Sequence, residues 1–332
     1  MRVAVFSTKD YDRQYLTAAN AAAAHEIEFF ETPLNSLTAT AASDYDCVSA
    51  FVNDHIDRAV LEILSAGRTR LVAMRCAGYN NVDLEAARVL GVTVVRVPAY
   101  SPFAVAEHVI AILMALYRTT HRSYNRVREG NFSLEGMVGH EVHGRTVGII
   151  GTGTIGSIVA RLFEGFGVER LAHDVVPNPD VEAMGIPYVT LDELWTRCQI
   201  ITLHCPLLPS TRHMVSKDTI AKMQDGVTLI NTSRGALIDT DAVYRALKSR
   251  KIGHLGIDVY EEEDDLFFSD HSSEIIQDDL FMRLTTFPNV LITGHQAFFT
   301  RRALGNIADT TVTNISEFES TSSCQNAIVL PG

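Results

Sequence analysis

Short apolar runs alternate with longer stretches in which apolar residues recur at helical spacing, and the alternation begins with the first residues of the chain. The pattern predicts strands at 2–6, 25–30, 47–52, 70–75 and 92–97, with helices at 11–23, 57–65 and 82–90 between them. Strands and helices in strict alternation mark a parallel sheet covered on both faces. The first hundred residues therefore suffice for a small α/β unit. The stretch Pro98-Ala-Tyr-Ser-Pro102 then interrupts the pattern and is a hinge candidate, because each proline biases the residue before it away from helix.

From 103 to about 127 apolar residues surround more than one face, which predicts one long helix buried in its own core or in a subunit contact. A second series of strands follows at 146–150, 170–174, 199–205, 227–232, 255–259 and 290–293, enough for a six-stranded doubly wound unit. A last helix at 300–318 and its tail are too short to hold a core of their own, so they are expected to return to the first unit.

One stretch narrows the fold. Residues 146–150 lead as a buried strand into Gly151-x-Gly153-x-x-Gly156, and a helix begins at Ser157. Gly151 permits a tight turn, Gly153 lets backbone approach a pyrophosphate, and Gly156 lets helix pack closely on strand. The helix start offers free N–H groups and a positive dipole end to the phosphates. A second strand ends in Asp174, 18 residues after Gly156, about where a ribose-binding carboxylate belongs. No arginine follows it in Val175-Val-Pro177, and a carboxylate would repel a 2′-phosphate, so NAD is favoured over NADP. The expected architecture is thus α/β with two doubly wound parallel-sheet domains. A Rossmann cofactor domain (101–298) is inserted into a flavodoxin-like substrate domain (1–100 plus 299–332).

The bulk numbers agree with this organisation. A chain of 332 residues, 46% hydrophobic and 20% charged, supports two ordinary domains, each with a core. No apolar run approaches the roughly 18 residues of a spanning helix, and the start Met1-Arg-Val-Ala-Val-Phe6 reads as a core strand, not a signal peptide. Five scattered cysteines without a Cys-x-x-Cys favour free thiols in a reducing cytoplasm. A net charge of -12 argues against a nucleic-acid partner. His140 and His143 form only a lone His-x-x-His, and no metal site is expected.

Three polar groups fall at strand ends, where open α/β sheets place their sites. Ile230-Asn-Thr-Ser-Arg234 delivers a guanidinium, whose forked donors suit a carboxylate. Gly256-Ile-Asp258-Val-Tyr-Glu-Glu-Glu263 delivers acids, and Ile292-Thr-Gly-His295 a histidine. A histidine beside a carboxylate makes a tunable proton donor. Spacing does not choose among Glu261, Glu262 and Glu263.

Four blocks, Gly151-Thr-Gly-Thr-Ile-Gly156, Leu203-His-Cys-Pro-Leu207, Asn231-Thr-Ser-Arg-Gly235 and Asp258-Val-Tyr-Glu-Glu-Glu263, resemble the D-isomer-specific 2-hydroxyacid dehydrogenases. The fermentative bacterial D-lactate branch is the more specific resemblance. It rests on Arg75-Cys-Ala-Gly-Tyr-Asn-Asn-Val-Asp83, Val97-Pro-Ala-Tyr-Ser101, Asp265-Leu-Phe-Phe-Ser269, Gln277-Asp-Asp279 and Gly294-His-Gln-Ala-Phe298. Many relatives carry Pro-His where this chain has Gly294-His295, a departure that fits that branch.

The resemblance implies that NADH reduces pyruvate to D-lactate, with Arg234 binding the substrate carboxylate, His295 giving the proton and Glu263 holding its ring. It implies that Thr154, Ile155, Asp174, Cys205, Pro206, Thr232, Ser233 and Arg234 line NAD with the three turn glycines. Asp258 would position nicotinamide or the histidine pair. Backbone N–H groups at Ala77 and Gly78 would grip the carboxylate, and Tyr100 and Phe298 would wall the pocket, as would Phe51 and Phe299. A homodimer or homotetramer built on the cofactor domain is also implied. Two rival readings remain at this level: a reductase of glyoxylate, hydroxypyruvate or phenylpyruvate, and an NAD-sensing corepressor on the same fold.

Overall fold

The computed structural model describes residues 1–263 and 266–329. Asp264, Asp265 and residues 330–332 lie outside the described residues, and with them the start of the 265–269 block and the end of the 299–332 segment. The chain divides into two compact units, Met1–Ser101 with Phe299–Gly332, and Pro102–Phe298.

The first unit holds β1 (Arg2–Val5), β2 (Glu26–Phe29), β3 (Cys47–Ala50), β4 (Leu71–Met74) and β5 (Thr93–Val95), all parallel in the order β2-β1-β3-β4-β5. That order is the flavodoxin-like winding. β3 and β4 are buried along their whole length, as central strands covered on both faces must be. Helices α1 (Asp10–Asn20), α2 (Arg58–Ala66) and α3 (Leu84–Leu90) connect the strands. Asp57 and Asp83 start α2 and α3 by accepting from the N–H groups of Val60 and Ala86.

Leu16 of α1 shares one core with residues near the C-terminus, among them Val312 and Ile315, while α2 and α3 cover the opposite face. Beside β5 the tail runs antiparallel. Val95 bridges Ala327, the Ile328 N–H donates to the Val94 carbonyl, and the Arg96 N–H donates to the Asn326 carbonyl.

In the second unit α4 (Pro102–Tyr117) and α5 (Thr120–Arg128) precede the sheet. The single helix expected over 103–127 is therefore two, bent by 59° at a break where Thr119 takes φ 49°. The Tyr117 carbonyl, which would lie inside a continuous helix, accepts from the His140 N–H. Gly139 passes so close that a Cβ would sit 2.3 Å from that oxygen. Composition changes at the same place, since α4 buries half its residues and α5 buries none. No single helix among the described residues is long and apolar enough to cross a membrane.

The sheet comprises β6 (Thr146–Ile150), β7 (Glu169–His173), β8 (Ile200–Leu203), β9 (Val227–Asn231), β10 (Ile252–Ile257) and β11 (Val290–Ile292). All are parallel, in the order β11-β10-β9-β8-β6-β7. Outside β7, Tyr188 makes one parallel bridge to Ala172. This remnant occupies the place of the third strand in the Rossmann winding. Its sequence, Met184-Gly-Ile-Pro-Tyr188, carries a glycine and a proline and gave no strand signal.

Helices α6 (Thr154–Leu162), α7 (Pro179–Ala183), α8 (Leu191–Arg197), α9 (Lys217–Lys222), α10 (Thr240–Lys248) and α11 (Asp279–Thr285) complete the unit. α4 and α6 pack on one face, and α8 to α11 on the other. β10 passes directly under α4, where Gly256 leaves room that a Cβ would close to 2.2 Å from Ile112. All five cysteines are free. His143 faces the Phe166 carbonyl, while the His140 ring packs on Tyr117 and His254.

Two imidazoles couple this fold to pH. Burial pulls His204, whose Nε2 lies 2.8 Å from the Thr202 hydroxyl, down to about 3. Burial first, then His140 and Arg145, pull His254 down to about 4. Both groups bind a proton in the unfolded chain below its value of 6.5 while the native state resists it, so stability falls as pH drops through this window. For His204 alone the slope is about 1.4 kcal/mol per pH unit. Urea unfolding at pH 7 and pH 5 is expected to show a lower midpoint at pH 5, and His204→Gln a smaller difference.

Candidate active site

β6 ends in the glycine turn, and the loop after β8 lies against it. Gly151 has φ 90°, and a Cβ there would meet the Cys205 N at 2.5 Å. At Gly156 a Cβ would stand 1.9 Å from the Gly151 carbonyl oxygen, so helix and strand approach as closely as backbone allows. Gly153 differs, because a Cβ there meets nothing within 4 Å. Protein packing therefore does not explain this glycine, and its open face suits the approach of a phosphate. Gly153 is the N-cap of α6 without a side-chain cap, and Thr154 and Ile155 open the helix behind it.

Asp174 follows β7 and is drawn to the same turn. One carboxylate oxygen accepts from the Thr152 N–H at 2.6 Å and the other from the Val175 N–H at 2.7 Å. Tyr188 and Asn178 hold Thr152 from the far side, through its hydroxyl and its carbonyl. On the neighbouring strand ends the Ser233 hydroxyl donates to the Cys205 carbonyl at 2.7 Å, linking the loops after β8 and β9. Pro206 is exposed beyond it, and burial raises the Cys205 thiol to about 11. The Thr232 hydroxyl is buried and meets no partner among the described residues. An orphaned buried hydroxyl and an open glycine face are what a dinucleotide at this edge would answer.

Arg234 is presented by a turn that the sequence reading overlooked. Asn231, fully buried at the end of β9, accepts from the Ser233 N–H at 3.0 Å and donates to the Arg234 carbonyl at 2.8 Å. A polar residue closing an otherwise apolar strand was the signal for it. Gly235 then packs on the next strand end, where a Cβ would meet the Tyr260 carbonyl group at 2.1 Å and the Glu261 N at 2.4 Å.

That next strand end carries the acids. Glu263 accepts from the Tyr260 N–H at 2.9 Å with one oxygen, and its other oxygen lies 2.9 Å from His295 Nδ1. Glu261 instead takes His213 and the Thr240 hydroxyl, and Glu262 is exposed, so the structure separates three acids that spacing left equivalent. The His295 ring packs near Phe268, 5.6 Å away, and Phe298, 6.5 Å away and edge-on.

The His295 backbone has φ 50°, held by Asp258. This fully buried carboxylate accepts from the Gln296 N–H at 2.9 Å, the Ala297 N–H at 2.8 Å and the Thr293 hydroxyl, while its carbonyl takes the His295 N–H. Asp258, expected to position nicotinamide or the histidine pair, lies fully buried under the loop that carries His295. His108 of α4 joins it from below, 3.0 Å from the Thr293 hydroxyl.

In the first unit, Ala77 and Gly78 follow β4, and their N–H groups meet no acceptor among the described residues. Arg75, fully buried just before them, donates to the Phe6 carbonyl and the Ser49 hydroxyl, with its guanidinium over Phe51. The Tyr100 carbonyl accepts from Asn306, and Phe299 packs edge-on to Tyr11. Among the described residues no three His, Cys, Asp or Glu gather as a metal-holding group.

An acid-paired imidazole and a guanidinium at the strand ends of a dinucleotide-binding sheet are the equipment of a nicotinamide-dependent dehydrogenase. Comparison with known proteins narrows the class. Residues 110–297 match the family profile "D-isomer specific 2-hydroxyacid dehydrogenase, NAD binding domain". The chain is 55% identical over 331 residues to a "2-hydroxyacid dehydrogenase homolog" of Haemophilus influenzae, covering 100% of both chains. It is 49% identical over 329 residues to the D-lactate dehydrogenase of Escherichia coli, covering 99% of this chain and 100% of that one. Among solved structures, the pyruvate reductase of Chlamydomonas reinhardtii superposes with a TM-score of 0.93 at 47% identity, covering 98% of each chain. The chain belongs to the D-isomer specific 2-hydroxyacid dehydrogenase family, and its cofactor is NAD.

The contrast between two turn glycines gives a test. Gly156→Ala is expected to lower the thermal midpoint because its Cβ has no room, whereas Gly153→Ala should keep the midpoint and weaken NADH binding. Calorimetry and NADH fluorescence titration of both variants would check the split.

Proposed function

We propose that this enzyme reduces pyruvate to D-lactate with NADH, and that Arg234, Glu263 and His295 carry the chemistry. The observation that carries the assignment is the His295–Glu263 contact of 2.9 Å at Nδ1, in a ring that packs near Phe268 and Phe298. With Glu263 accepting from Nδ1, the transferable proton sits at Nε2. The choice of pyruvate is supported by the similarity to the Escherichia coli and Chlamydomonas proteins. The Phe298 ring beside His295 also suits a small substrate.

In this reading NADH, bound against the glycine turn and Asp174, supplies the hydride. Arg234 holds the substrate carboxylate in its forked donors and draws charge toward the carbonyl oxygen. His295 gives the Nε2 proton to that oxygen as it gains charge, and takes it back in the reverse reaction. Glu263 keeps the ring aimed, and Asp258 fixes the loop that carries it. The N–H groups of Ala77 and Gly78 are read as further donors to the carboxylate.

His295→Asn is expected to lower kcat by a factor of about 10² to 10⁴ while leaving NADH affinity unchanged. Full activity in that variant would remove His295 as the acid. Arg234→Lys keeps the charge but loses the fork, so pyruvate KM should rise. Following NADH oxidation with pyruvate, glyoxylate, hydroxypyruvate and phenylpyruvate decides the substrate. Absence of turnover with all four would favour a binding role for the fold.

A further inference from the structure

The peptide groups that leave β4 are held from one side. The Cys76 carbonyl accepts from the Val97 N–H at 3.2 Å, and the Ala77 carbonyl accepts from Arg96 Nη1 at 3.0 Å. A trans peptide is planar, with its N–H directed opposite to its C=O. Pinning these two carbonyls on residues 96 and 97 therefore turns the N–H groups of Ala77 and Gly78 the other way. Successive N–H groups turned to a common side form an anion-binding concavity.

Arg96 is itself fixed at three points. Its N–H donates to the Asn326 carbonyl at 3.2 Å, its carbonyl accepts from Asn314 Nδ2 at 2.9 Å, and its guanidinium lies over the Tyr79 ring at 5.1 Å. Asn314 is 1% exposed and also accepts from Asn326 Nδ2 at 2.8 Å, so the end of the chain is built around this arginine. Among the described residues Arg96 has no carboxylate partner, so its guanidinium is committed to the Ala77 carbonyl and the Tyr79 ring.

We propose that Arg96 is a positioning residue for substrate-carboxylate binding, acting through the Ala77 carbonyl to aim the Gly78 N–H. The proposal rests on the reading of Ala77 and Gly78 as a carboxylate grip. A lysine at 96 keeps the charge but neither stacks on Tyr79 as a plane nor offers the same donor direction.

The test measures four quantities on the full-length enzyme: kcat and KM with pyruvate, binding of the carboxylate inhibitor oxamate to the NADH complex, NADH affinity, and the thermal midpoint. Arg96→Gln is expected to raise pyruvate KM and oxamate Kd about tenfold, the scale of one hydrogen bond to a charged group. Its kcat and NADH affinity should stay within about twofold of the parent. Arg96→Lys should recover only part of the loss. Tyr79→Leu, which leaves the guanidinium in place without its stacking surface, should move the same two constants in the same direction by less.

Unchanged KM and oxamate Kd in folded Arg96→Gln would overturn the proposal. So would a loss of kcat or NADH affinity in step with KM. If Arg96→Gln does not fold, Tyr79→Leu decides by the same criteria. Gly78→Pro deletes the N–H itself and separates the two claims. A raised KM there with a normal KM in Arg96→Gln removes the positioning role and keeps the grip, whereas normal values in both remove the grip as well.

Discussion

Asp258 leaves the end of β10 with none of its surface exposed, and its carboxyl group answers donors on Thr293, Gln296 and Ala297. A buried carboxyl without partners would be costly. With these partners it becomes a fixed point for the loop after β11, because its backbone carbonyl also takes the His295 N–H. A non-glycine residue at φ 50° persists only where its surroundings determine the backbone, and here they do so from both sides of His295. Glu263 then sets the ring, and the Tyr260–Glu261 backbone beside it is the floor on which Gly235 rests. The imidazole and the guanidinium share one foundation, so a disturbance at the end of β10 reaches both.

The two groups of strand ends are built on different physics. At β6 and β8 backbone does the work, through a glycine turn that excludes side chains and the uncapped start of α6. At β9, β10 and β11 side chains do it, each locked by buried polar contacts such as Asn231 to the Arg234 turn.

Much of this was legible in the chain. The glycine turn and Asp174 stand at fixed offsets from a buried strand, and all six strands of the second sheet were signalled, although β10 begins at Ile252, three residues before the expected start at 255. What stayed hidden depended on contacts distant in sequence. Nothing local distinguishes Glu263 from Glu261, since the difference is that one meets His295 and the other His213. The break after Tyr117 is imposed in part by His140, which claims the carbonyl from 23 residues away. The bridge at Tyr188 is a single residue and has no period to detect. His108 offered a faint sign, as a polar side chain in an apolar helix, but its partners Thr293 and Asp258 lie far along the chain.

The tail beside β5 bears on how the chain comes to be folded. The first unit begins with β1 but closes its sheet edge only with Ala327 and Ile328, and it takes part of its core from Val312 and Ile315. Everything from Pro102 to Phe298 intervenes. During synthesis the inserted unit therefore has all its strands before the enclosing unit has its last helix. Contacts of such long sequence separation form slowly because the loop must close first. Until then β5 presents an unpaired edge and the sheet an uncovered apolar face, the surfaces through which nascent chains associate wrongly. The order of elements along the chain thus assigns the enzyme's most vulnerable interval to the time before residues 312–328 have been made.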